Sequence, residues 1–122
     1  MGIVHERRGE CALAAEELGL ALQISEDIGD IAGQAQAHNG LGAVHRHECR
    51  WAEAMAAHER ARALATGIGD SYEQARALSG VAHVLRATGR PGRARQHWIE
   101  ALGFFDELGV PEAAEVRALL GS

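Results

Sequence analysis

Apolar residues recur at three- and four-residue steps through almost the whole chain, which is the spacing of one face of an α-helix. Between Glu10 and Asp27 that face is Leu13, Ala14, Leu18, Ala21, Leu22 and Ile24. A second helix runs from about Ile31 to His47, with Ala35, His38, Leu41, Gly42, Val44 and His45 on its packing side. Trp51 to Thr66 forms its partner and turns Ala54, Met55, His58, Ala61 and Leu64 inward. Val81, Ala82, Val84 and Leu85 mark the next helix, and Ala94, Trp98, Ala101, Phe104 and Phe105 the one after it. Pro111 to Leu120, apolar at Ala114, Val116, Leu119 and Leu120, reads as a closing half-unit.

The punctuation between these stretches repeats as regularly as the faces do. Gly29 is a left-handed stop and Asp30 can cap the helix after it, while Asp70 and Glu73 fit a capping box. Cys49-Arg50 and Gly89-Arg90 mark tight turns, and Pro91 falls in a first helical turn, where its missing N–H is harmless. Shifted by 40 residues, Gly40, Val44, Arg46, Arg50, Ala54 and Ala61 land on Gly80, Val84, Arg86, Arg90, Ala94 and Ala101. Ile28-Gly29-Asp30 returns as Ile68-Gly69-Asp70 and, more loosely, as Leu108-Gly109-Val110.

A fixed period of this length is the signature of a stacked repeat array. The expected fold is all-α, an α-solenoid of antiparallel helix pairs forming one domain over residues 1–122. Its parts are an incomplete first unit at 1–27, a second at 28–67, a third at 68–107 and a closing helix at 108–122. Gly2 to Gly9 matches only the second half of the helix that begins each later unit. The chain is therefore expected to start inside a repeat, with a stacking face open. Gly42 sits mid-helix, where glycine costs about 1 kcal/mol relative to alanine, and its counterparts Gly2 and Ala82 are also small. That predicts the close passage of a neighbouring helix backbone.

Composition narrows the function more than the fold. The chain is 47% hydrophobic but only 4% aromatic, a content dominated by Ala and Leu that suits closely packed helices. A formal charge of -5 offers no basic stripe for phosphates, so direct binding of nucleic acid is not expected. All 12 cations are Arg, which we read as a bias towards GC-rich codons. Cys11 and Cys49 make no disulfide framework and no signal peptide precedes them, so the expected location is cytoplasmic with free thiols. No apolar run approaches the ~20 residues of a membrane span.

Catalytic and metal chemistry find no foothold. His45 and His47, two apart on a helix, point to different sides and cannot share an ion. His58-Glu59-Arg60-Ala61-Arg62 begins like a zinc-protease helix, but Arg62 stands where the second histidine is needed. Gly40-Leu41-Gly42 and Gly67-Ile68-Gly69 lack the third glycine and preceding strand of a dinucleotide fingerprint. No Ser or Cys has a nearby base in a strand-turn-helix setting. The reading is non-catalytic, with no metal and no cofactor.

The residues Leu41-Gly42, His45, Ala54, His58 and Ala61, with Val81-Ala82, Leu85, Ala94, Trp98 and Ala101 one period later, resemble the tetratricopeptide repeat. The longer unit, with His45-Arg46, Trp51-Ala52-Glu53-Ala54 and Ile68-Gly69-Asp70, resembles the C-terminal repeats of actinobacterial antibiotic-regulatory (SARP or AfsR-like) activators and related multidomain ATPase regulators. The resemblance implies a right-handed superhelix that binds a protein or peptide on its concave face. The positions it assigns to that face are Gln36, Asn39, Ala43 and Arg46 in one unit and Arg76, Ser79, His83 and Arg86 in the next, with Glu6 as the counterpart from the first unit. Arg46 and Arg86 occupy equivalent places and should lie side by side, where two guanidinium forks suit a carboxylate or an acidic peptide. The alternative is a structural element that self-associates, as a homodimer, through its open N-terminal end.

Overall fold

The computed structural model describes the backbone from Ile3 to Gly121 and the side chains from Gly9 to Gly121. Six helices follow one another: α1 (Ile3–Ile28), α2 (Ile31–His47), α3 (Trp51–Ile68), α4 (Ser71–Ala87), α5 (Pro91–Leu108) and α6 (Glu112–Gly121). Each packs on the next in sequence, and α2 also touches α4. That last contact sets the first helices of successive units beside each other, as a solenoid requires.

The expected stops are where the chain turns. Gly29, Gly69, Gly89 and Gly109 all have positive φ, between 67° and 84°, and Cys49 takes the same left-handed conformation at φ 58°. Asp30 accepts the backbone N–H of Gly33 at 2.9 Å, and Asp70 that of Glu73 at 3.1 Å. The capping box at Asp70 is only half formed. The Asp70 N–H donates to the Ala65 carbonyl, and the Glu73 carboxylate turns away to other partners.

At the N-terminal end the structure departs from the expected layout. No turn separates Ile3–Gly9 from the helix expected to begin at Glu10; α1 runs through Gly9 as one helix, and Gly9 does not have positive φ. The equivalent positions Cys49 and Gly89 do turn, each with positive φ.

Burial is just as uneven. The main apolar cluster joins α4, α5 and α6 through Leu78, Val81, Leu85, Trp98, Phe105 and Val116. By contrast, α1 buries only Ser25 among its described side chains. Leu18 and Leu22 are half-buried, but Leu13 (61% exposed), Leu20 (57%), Ile24 (59%) and Ile28 (72%) form an uncovered stripe.

Leu18, His58 and Trp98 hold the same place one period apart, and the small residues exist to receive them. A Cβ on Gly40 would lie 2.7 Å from Leu18 Cδ2. On Gly42 it would lie 2.6 Å from the His58 ring, and on Gly80 2.4 Å. The close neighbour of Gly42 is thus a side chain of α3 and not a helix backbone.

Held between Gly42 and Gly80, the ring has nowhere to retreat, so Gly80→Ala should destabilise the chain by about 1–3 kcal/mol. Gly19, Gly67 and Gly103 face open space, and alanine there should stabilise by up to about 1 kcal/mol. Thermal melts of the four single variants check both signs.

Candidate functional site

A continuous polar relay crosses the junction of α2, α3 and α4. Arg76 Nη1 donates to Glu73 Oε1 at 3.0 Å, and Asn39 Nδ2 donates both to that carboxylate oxygen and to the Glu73 carbonyl, each at 3.0 Å. Asn39 Oδ1 lies 2.9 Å from His58 Nδ1, and Arg46 Nε donates to His58 Nε2 at 3.3 Å. These partners fix the tautomer: Nδ1 carries the proton and Nε2 accepts. Asn39 (1% exposed), His58 (2%) and Glu73 (2%) are buried, so the relay joins three helices where no water replaces a lost bond.

Electrostatics hold the imidazole neutral. Burial, then Arg46 and Arg76, with His83 and His45 behind them, push the His58 pKa from 6.5 down to about 3. A proton on Nε2 would meet the Arg46 N–H donor to donor. With both ring nitrogens engaged, His58 offers no lone pair to a metal ion.

One unit later the arrangement is rebuilt with other chemistry. Trp98 replaces His58 and donates Nε1–H to Ser79 Oγ at 3.2 Å, as His58 donates to Asn39. Arg86 lies over the Trp98 ring, 5.0 Å from its centroid, as Arg46 bonds the imidazole. His83 meets the same indole edge-on at 5.1 Å and 84°. Burial, then Arg46 and Arg86, lower its pKa to about 4.

Beside the relay lie two adjoining hollows. The first, of about 190 Å³, is lined from α2 and α4 by Ala43, Arg46, Arg76 and His83 and from α6 by Glu112 and Leu119, among others. The second, of about 230 Å³, lies between Arg46, Arg86, Trp51 and His83. Arg46 and His83 border both, so the two form one groove along the inner helices.

Arg46 and Arg86 face the same hollow, but neither pairs with Glu48 or Glu73. Among the described residues Arg46 has no carboxylate partner, and burial, with Arg76 nearby, lowers its pKa below the usual guanidinium range.

The eight residues assigned to the concave face thus fall into three groups. Ala43, Arg46, Arg76, Ser79, His83 and Arg86 line the groove. Asn39 borders it but is buried, and it acts as a tie between helices where an exposed contact residue was expected. Gln36 is exposed and lines neither hollow. Glu6 lies outside the described side chains.

The sequence reading missed the contribution of α6. Val116 and Leu119 stand 40 residues beyond Arg76 and Ser79 and line the same groove, and Glu112 accepts the Tyr72 hydroxyl there. The period alone could have found them.

Comparison with known proteins agrees with this fold. The chain is 39% identical over 80 residues to the regulatory protein AfsR of Streptomyces griseus, a match that covers 66% of this chain and 8% of that protein. It therefore spans under a tenth of the length of that relative. A tetratricopeptide repeat profile matches residues 33–107, over the helix pairs that carry the relay and most of the groove. The chain belongs to the tetratricopeptide repeat family.

Proposed function

We propose that this chain is a non-catalytic interaction module that holds a peptide or partner segment along the inner face of α2, α4 and α6, and that it is a fragment or relative of the repeat region of a bacterial transcriptional regulator. The observation that carries the reading is Arg46. It is a half-buried arginine with its Nε tied to neutral His58, and it borders both hollows. A partly desolvated fork without an internal carboxylate is matched by one from outside.

A peptide selected from a random library on the full chain tests this. Arg46→Gln keeps an N–H donor for His58, so Arg46→Gln with Arg86→Gln should weaken binding at least about tenfold while helicity stays unchanged. Selected peptides indifferent to the pair would end the proposal.

The exposed stripe of Leu13, Leu20, Ile24 and Ile28 favours a second reading, self-association through α1. In that case sedimentation should show a dimer whose population rises with concentration and disappears in Leu20→Glu with Ile24→Glu. A monomer at all concentrations removes it.

A further inference from the structure

The groove is not uniformly cationic, and its two ends differ in sign. Arg46 and Arg86 lie in the last turns of α2 and α4, where the hollow also takes in Trp51 and His83. Glu112 and Glu115 lie in the first turn of α6 and border the other hollow. Between them Arg76 and Glu73 neutralise each other in an ion pair, and Phe105, Val116 and Leu119 supply an apolar floor. Glu112 takes a hydrogen bond from Tyr72, and exposed Glu115 has no ion-pair partner among the described residues.

We infer that the groove selects a dipolar peptide segment: an acidic side chain against Arg46 and Arg86, an apolar residue over Val116 and Leu119, and a basic side chain against Glu112 and Glu115. This rests on the interaction reading above and narrows it, because a wholly acidic segment meets two like charges at the α6 end. Charges arranged in complementary order set register and reject wrong partners more than they add affinity. The segment crosses the groove diagonally, from the C-terminal ends of α2 and α4 to the N-terminal end of α6.

The random-library selection, sequenced in full, separates the outcomes. Peptides enriched in an acidic and a basic residue on either side of an apolar one are the expected result. Glu112→Gln with Glu115→Gln should then weaken the best of them roughly three- to tenfold, and should leave its counterpart with the basic residue changed to Gln unaffected. Because those carboxylates also complement the α6 dipole, a melt of the double variant shows that α6 remains docked. Peptides that depend on Arg46 and Arg86 but carry no basic residue, or ignore the loss of both carboxylates, overturn the dipolar pattern and leave the interaction reading intact. Peptides indifferent to both arginines overturn both.

Discussion

Asn39→Ala is expected to be the most damaging single truncation at the inner face, costing about 3–5 kcal/mol. The substitution removes two donors from Glu73 and the acceptor of the His58 Nδ1–H, and all three residues are at most 2% exposed. Glu73 is left with Arg76, and His58 with a proton pointing at nothing. Domains of this size have about 5–15 kcal/mol in total, so the midpoint of thermal unfolding should fall by roughly 10–20 °C.

Ser79→Ala is the matched control. Ser79 stands one period later and accepts only the Trp98 N–H, so its loss should cost about 1 kcal/mol. Equal effects at the two positions would mean that the three Asn39 bonds hold no more than the one at Ser79, and Asn39 would not be a tie between helices.

Acidification should be the second large effect. The His58 pKa is about 3 in the folded chain and near 6.5 when unfolded, so the unfolded state binds the proton first. The stabilisation is complete above pH 6.5 and is lost as pH falls from there towards 3. Each pH unit in that window costs about 1.4 kcal/mol, or about 2 kcal/mol between pH 6.5 and pH 5. His83, held at about 4, acts in the same direction over a narrower window, and less strongly because it is only half-buried.

Carboxylates titrate near the acid end too, so the comparison is with His58→Leu, which places there the residue that Leu18 supplies one unit earlier. That variant should be less stable at pH 7, since Asn39 and Arg46 lose their partner, but its stability should change less from pH 7 to pH 5. Parallel pH profiles for the two proteins would show that His58 is not held neutral.

Much of the fold was legible along the chain. Gly29, Asp30, Gly69, Asp70 and Gly109 mark the turns and caps because those conformations and hydrogen bonds are local. The role of Gly42 was half legible. Its smallness announced a close neighbour, but the neighbour is an imidazole wedged against Gly80 as well, on a helix of the next unit. The continuous α1 was not legible, since the repeat pattern places a turn at Gly9 and the helix runs straight through it.

The candidate site divides in the same way. Arg46, Arg86 and His83 were identified by register, and they do share a hollow. Whether Asn39 meets solvent or is sealed depends on how far α4 leans over α2, which brings Glu73 onto its amide. The place of α6 at the groove depends likewise on how α5 carries it round.

By itself the sequence determined the helices from Ile31 onwards, their pairing and the forty-residue rhythm, because helix faces, caps and left-handed glycines are short-range properties of the chain. Only the tertiary structure decided that His58 is neutral, that Asn39 is a tie and that the groove is cationic at one end and acidic at the other. Those properties arise from distances between side chains on different units, which crossing angles set and a linear pattern does not contain.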